Sequence, residues 1–255
     1  MSTACFYPME TEKTLEHISK AGFDIFEVFV NSESEYQDSY IKKFNKIKDF
    51  YGLTLYSYHP FTSYSEAFTF FSDYKRRAED GIESYKHQFE AAVKMGAKVF
   101  NFHGDAVAGK KDILYYCEIY SKLYEIANKA GVIFSQENIS YCKSASTAFI
   151  NKMREQLSEN VKFTLDIKQA NKAGISPFEM LSAMQGAVVN YHISDFDEEH
   201  SCLLPGCGKF DLVDLTEKLS QSGYSGPAII EVYRHNYKDI NEIYILKSNK
   251  FFKEI

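Results

Sequence analysis

Along the chain, short apolar runs rich in β-branched and aromatic residues alternate with longer segments whose apolar residues recur every three or four positions, the pattern of repeated strand-then-helix units. Eight short runs read as strands: Thr3 to Tyr7, Asp24 to Val30, Leu53 to Tyr58, Lys98 to His103, Val132 to Glu137, Lys162 to Asp166, Val188 to Ser194 and Ala228 to Tyr233. Helical spacing marks Thr11 to Lys20, Glu35 to Phe50, Tyr74 to Met95, Ile113 to Ala130, Ser144 to Leu157, Pro177 to Met184, Leu212 to Ser222 and Asn236 to Phe252. Gly22, Gly96, Gly131 and Gly223 each fall just after a predicted helix and shortly before the next strand, where a left-handed C-cap is favoured.

Eight such units in 255 residues predict an α/β fold of the (β/α)8 TIM barrel type, one domain spanning residues 1–255. The competing fold, an open doubly wound sheet, usually carries a glycine-rich phosphate loop after its first strand. Here that strand runs into Tyr7-Pro8-Met9, without glycine.

In a closed parallel barrel the carboxyl ends of the strands converge on one mouth. Those ends carry His59, His103, Glu137, Asp166, His192 and Glu231. Each follows an apolar run, as in KVFNFH, GVIFSQE, VKFTLD and PAIIE, so each is carried into a half-buried setting. For one histidine, a hydrogen-bonded structural role is the better reading. Six together are different, because three carboxylates and imidazoles within reach of one point repel one another without a cation. An oxygen-rich set of this kind suits a divalent metal: manganese, magnesium, cobalt or zinc.

Composition narrows the partners. Hydrophobic residues make up 45% and charged residues 25%, ordinary values for a globular chain. A net charge of -6 disfavours nucleic acid. No apolar stretch is long enough for a membrane span, and MSTACFYPMETEK lacks the apolar core of a signal peptide, which predicts a cytoplasmic protein. The five cysteines, Cys5, Cys117, Cys142, Cys202 and Cys207, are scattered without CxxC spacing, and no disulfide is expected. Homo-oligomerisation is left open.

Taken in order, the Glu-Asn of FSQENIS, the Asp of FTLDIKQANKAG, the His of VVNYHISDF, the Gly-x-Gly of LLPGCGKFD and the Glu of AIIEVYR resemble the xylose-isomerase-like barrel superfamily. That superfamily includes sugar isomerases, ketose 3-epimerases, inosose dehydratases and nucleases of the endonuclease IV type. The resemblance covers essentially the whole chain. In the sugar-converting relatives, the residues matching Glu137, Asp166, His192 and Glu231 bind one divalent metal, and the two glutamates are placed for proton transfer. In the nuclease relatives three zinc ions are held, and residues matching His59, His103 and Glu137 form a further metal site.

The chain departs from both patterns at Gln169, where a histidine is usual, and the later Asp-x-His of the nucleases is replaced by DEEHSCLLPGCG, in which His200 and Cys202 are the candidate substitutes. The resemblance therefore implies a metal-dependent sugar or sugar-phosphate isomerase or epimerase acting on a small sugar or derivative, with Glu137 and Glu231 as the proton-transfer pair. The alternatives are metal-assisted phosphodiester hydrolysis at abasic DNA, and a barrel that only binds a small ligand.

Secondary candidates for substrate contact are Gln169, Lys168, Arg234, His200 and Glu27. Lys168 either meets an anionic substrate or pairs with a neighbouring acid. Glu27 points either to the mouth or to the helix layer, and Arg234 is a candidate for a phosphate or a surface residue. Phe6, Tyr7, Phe61 and Tyr233 adjoin strand ends and are candidates for the pocket wall. Gly206 and Gly208 either bring backbone amides to an anion or form a simple turn.

Overall fold

The structure is a computed structural model that describes residues 1–249 and 251–254. Seven parallel strands form one sheet in sequence order: β1 (Ile25–Phe29), β2 (Thr54–His59), β3 (Val99–Phe102), β4 (Ile133–Glu137), β5 (Phe163–Asp166), β6 (Val188–Ile193) and β7 (Ala228–Ile230). The expected first strand at Thr3 to Tyr7 is instead a 3-10 helix, Thr3–Phe6, opened by the Ser2 hydroxyl accepting from Ala4 N. Barrel closure needs only the two residues before it. Ser2 N donates to Ile230 O at 2.8 Å and Glu27 N donates to Met1 O at 3.1 Å, so Met1 and Ser2 bridge β7 to β1. The result is a single, nearly closed barrel with helices around it.

The surrounding helices are α1 (Thr11–Lys20), α2 (Asp38–Phe50), α3 (Glu66–Phe70), α4 (Lys75–Met95), α5 (Ile113–Ala130), α6 (Thr147–Leu157), α7 (Ile167–Lys172), α8 (Pro177–Met184), α9 (Leu212–Gln221), α10 (Ile240–Tyr244) and α11 (Phe251–Glu254). Short α3 and α7 were not expected. The helix predicted over Asn236 to Phe252 is broken, because Asp239 and Glu242 form a capping box that starts α10 afresh; Lys250 of that span lies outside the described residues. Gly96 and Gly131 end α4 and α5 with φ of 97° and 98°, a conformation costly for residues with a Cβ, and the next strand starts within three residues.

Side chains alternate across each strand. The outer face is aromatic: Phe26, Tyr58, Phe100, Phe102, Phe134, Phe163 and Tyr191 are buried against the helices. The inner face is polar over much of its depth. Glu27, Ser57, Asn101, Ser135, Thr164 and Asn190 are all fully buried and hydrogen-bonded to one another, with Ser57 and Asn101 donating to Glu27 Oε2 at 2.7 and 2.8 Å and Thr164 donating to Asn101 Oδ1 at 2.7 Å. This belt sits beneath the mouth and supports what lies above it.

Among the described residues no helix is long and apolar enough to cross a membrane. All five cysteines are free thiols.

Candidate metal centre and pocket

Two residues on from the polar belt, the same inward face delivers the strand ends: Ser57 leads to His59, Asn101 to His103, Ser135 to Glu137, Thr164 to Asp166 and Asn190 to His192. Glu137, Asp166, His192 and Glu231 come together, each offering a ligand atom within 4.8 Å of the others, and all four are buried. His192 Nδ1 is the centre of the group, 3.4 Å from Glu137 Oε1, 3.6 Å from Asp166 Oδ2 and 3.3 Å from Glu231 Oε2. His59, His103 and Glu137 form an adjoining group, in which both Nε2 atoms lie 3.4 Å from Glu137 Oε2 and 2.9 Å from each other. Glu137 is thus shared between the two.

His192, Asp166 and Glu137 are each held from behind. His192 Nε2 meets Glu27 Oε2 at 2.9 Å, which fixes the ring and leaves Nδ1 facing the carboxylates. A register shift between Phe26 and Glu27 helps to aim that glutamate inward. Asp166 caps α7 by accepting from Gln169 N, and its backbone is clamped on both sides by Asn138. Gln136 donates to the carbonyls of Phe102, His103 and Glu137, and the Ser144 hydroxyl also donates to Glu137 O.

Burial alone would raise every carboxyl here, yet partners decide the outcome. Glu137 is held well below the usual carboxylate range by His103, His192 and His59, and Glu231 by Lys168 and His192. Asp166 is pushed up to about 6 by burial, which Lys168 only partly opposes. Burial would strip the proton from His192, but Glu27 and Glu231 hold it well above the ordinary range.

The donor set fits a divalent cation. Glu137 Oε2, Asp166 Oδ2 and His192 Nδ1 are buried without a hydrogen bond, Glu137 Oε2 facing His59 and His103, and Asp166 Oδ2 lying 3.6 Å from His192 Nδ1 with only the Lys168 ammonium beside it. Buried polar atoms are rarely left so, and three carboxylate ligands with one imidazole suit a hard or borderline ion.

Lys168 lies inside this site, 2% exposed, with Nζ 2.6 Å from Glu231 Oε2 and 3.2 Å from Asp166 Oδ2. Of its two sequence readings, pairing with neighbouring acids is what the structure displays. Gln169 lines the pocket, but its Oε1 is occupied by Ser140 N and Oγ at 3.1 and 2.8 Å. Arg234 stands exposed at the mouth. Glu27 is fully buried beneath His192, away from the pocket lining. His200 lies away from the pocket, its side chain 56% exposed and paired with Asp197, while Cys202 is buried outside the quartet. The Gly-x-Gly wraps an internal anion: Gly206 N and Gly208 N both donate to Asp195 Oδ2, and a Cβ at Gly208 would collide with that carboxylate.

Glu66, in the unexpected α3, escaped the sequence reading. It is fully buried and accepts from Tyr85 OH, His103 N and Gly104 N, tying down the end of β3; burial pushes its carboxyl up to about 8. A charged residue inside the otherwise uncharged stretch SYSEAFTFF was its only signal.

The pocket over these groups has a volume of about 850 Å³. Tyr7, Phe61 and Tyr233 wall it, together with Phe29, Tyr64 and Tyr141; Phe6 does not, and stacks on His17 instead.

Because Glu27 orients the His192 ring, Glu27→Gln is expected to weaken divalent-metal binding by about 10- to 100-fold while the barrel stays folded. Calorimetric titration of the metal-free variant measures this. Wild-type affinity would remove Glu27 from any role at the metal.

A family model described as "Xylose isomerase-like TIM barrel" matches residues 15–255. An uncharacterized protein of Methanocaldococcus jannaschii is 24% identical over 271 residues, covering 100% of this chain and 87% of the relative. Among solved structures, a D-tagatose 3-epimerase-like protein superimposes with a TM-score of 0.78 at 20% identity, covering 97% of this chain and 95% of that one. The IolI protein, with a bound zinc atom, gives 0.77 at 18% identity, covering 97% and 94%. At these identities the structural likeness speaks for the fold.

Proposed function

The chain belongs to the xylose isomerase-like TIM barrel family, and from that premise we propose that it is a divalent-metal-dependent sugar isomerase or epimerase in which Glu137 and Glu231 move the proton. The observation that carries this reading is the buried quartet, with one glutamate on each of two strand ends approaching the same point beside His192. Sugar epimerases among the structural neighbours support the substrate class.

Glu137, Asp166, His192 and Glu231 would hold the ion, which would polarise neighbouring carbonyl and hydroxyl oxygens of a sugar and so acidify the adjacent C–H. Both glutamates are kept ionised, by histidines at Glu137 and by Lys168 at Glu231, so each is ready to act as a base. One carboxylate takes the proton from carbon, and the other returns one to the opposite face after first taking up a proton itself, which at Glu231 the Lys168 ammonium 2.6 Å away is placed to supply. Delivery to the opposite face gives an epimer, and delivery to the neighbouring carbon, with a proton passing between the two neighbouring oxygens, gives an aldose–ketose pair. The aromatic wall limits water over the reacting carbon.

Incubation of the metal-loaded protein with a panel of ketoses and inososes in D2O is expected to wash deuterium into the carbon next to the carbonyl, and chelation to stop it. No wash-in from any of them, with the metal confirmed bound, would overturn the proposed reaction.

The adjoining His59–His103–Glu137 group favours one rival, metal-assisted phosphodiester cleavage. Against it stand the net charge of -6, Gln169 engaged with Ser140, and His200 outside the pocket. Chelator-sensitive nicking of an abasic duplex would reverse that preference.

A further inference from the structure

The acids of the pocket lie at its floor, and the unpaired bases lie along one side of its mouth. Glu137 and Glu231 are the acidic residues of the lining, and both belong to the quartet. A divalent ion and the Lys168 ammonium together offset the three quartet carboxylates. The floor therefore makes little electrostatic demand on anything beyond a neutral carbonyl and hydroxyl.

The rim differs. Lys172, at the end of α7, and Arg234 and His235, just beyond β7, all line the pocket. Tyr233 organises this edge: Lys172 Nζ sits 3.3 Å from its hydroxyl and 4.5 Å from its ring centre, and the His235 ring stacks on it at 5.4 Å with an interplanar angle of 10°. Arg234 packs over Tyr237 at 4.6 Å and donates from one guanidinium nitrogen to Tyr237 O, leaving further N–H groups to spare.

Among the described residues neither Lys172 nor Arg234 has a carboxylate within ion-pair distance, and both are exposed. Acidic residues outnumber Lys and Arg by 35 to 29, and some surface lysines are paired, as at Lys13, Lys20, Lys43, Lys94, Lys122 and Lys209, but Lys172 and Arg234 are not. Lys172 and Arg234 therefore bring uncommitted positive charge to the lip of the pocket whose lining includes Glu137 and Glu231. The opposite wall is aromatic, with Phe29, Phe61, Tyr64 and Tyr141.

We infer that this pocket takes an anionic sugar derivative, whose terminal oxyanion is held at Lys172, Arg234 and His235 while its carbonyl end reaches the quartet. The identity of the carbonyl end rests on the proposed reaction; the anion at the rim does not. A guanidinium offers two parallel N–H groups to a phosphate or a carboxylate, and the Lys172 ammonium adds a point charge beside it. The volume leaves room for a monosaccharide carrying one further group.

The test is calorimetric titration of the metal-loaded protein with three ligands: a neutral ketose, the same ketose phosphorylated at its terminal carbon, and the corresponding sugar acid. One of the two anions is expected to bind about 30-fold more tightly than the neutral ketose or better, and whichever does so identifies the source of the oxyanion. In Lys172→Gln/Arg234→Gln that preference is expected to fall by about 10-fold or more. Lys129→Gln, at the far end of α5 from the mouth, serves as the control and should keep it.

If neither anion binds better than the neutral ketose, or if the double variant, with an unchanged unfolding temperature, keeps the full preference, the inference is overturned. The wild-type comparison decides even if the double variant fails to fold. Deuterium wash-in from neutral ketoses without any anion preference would sink this inference alone. A strong, rim-dependent preference without wash-in from any sugar would sink the proposed reaction alone.

Discussion

Replacing either glutamate of the quartet, as Glu137→Gln or Glu231→Gln, is expected to slow deuterium wash-in by about 10²- to 10⁴-fold, the usual worth of a positioned general acid or base. The two variants should differ in kind. Glu137 and Glu231 reach the region of His192 Nδ1 from different strand ends, at 3.4 and 3.3 Å, so each should serve the epimer whose C–H faces it. Wash-in measured separately from each member of an epimeric pair reads that asymmetry.

Ligand loss is a competing cause of the same defect. Glu137→Gln removes the carboxylate that holds His59 and His103, and Glu231→Gln leaves Lys168 with Asp166 alone. Metal content is therefore measured alongside. If excess metal restores full wash-in to both variants, the glutamates are ligands only and proton transfer belongs elsewhere.

Much of this site was legible because a strand has period two. His59, His103, Glu137, Asp166 and His192 end apolar runs, and a barrel leaves such ends only one place to converge. The same period carried a second signal that the sequence reading passed over: Ser-Tyr-His, Asn-Phe-His, Ser-Gln-Glu, Thr-Leu-Asp and Asn-Tyr-His each place a small or amide side chain two residues before the candidate residue. Those side chains form the buried belt around Glu27, and they resolve Glu27 as an inward residue whose Oε2 meets His192.

What the sequence hid was governed by contacts distant along the chain. Thr3 to Tyr7 has strand-like composition, yet closure is completed by Ser2 against Ile230 and Glu27, and the following residues are free to coil into a 3-10 turn. Glu66 is explained only by the backbone of His103 and Gly104, 37 and 38 residues away. Lys168 offered two readings until Glu231, 63 residues on, was placed beside it.

Metal should also stabilise the fold, and more so as the pH rises. At a free concentration about 1,000 times its Kd, a ligand that binds only the folded chain adds about 4 kcal/mol, or about 8 to 16 °C in Tm for a domain of roughly this size. Protons oppose it at two ligands. Burial and the flanking carboxylates keep the proton on Asp166 up to about pH 6, and Glu27 with Glu231 keeps His192 protonated well above its ordinary range despite burial.

Both folded values lie above their unfolded ones, so the metal-free protein loses stability as pH rises, from Asp166 between about 4 and 6 and from His192 above about 6.5. Glu27, Glu137 and Glu231 act oppositely, but their depressed values place that effect below about pH 4.5. Metal binding releases the same two protons and so strengthens across the window in which the metal-free fold weakens. The gap in Tm between metal-loaded and chelator-treated protein should therefore widen from pH 5.5 to pH 8. Thermal unfolding at both pH values measures it, and an equal gap at each would mean that neither Asp166 nor His192 gives up a proton to the ion.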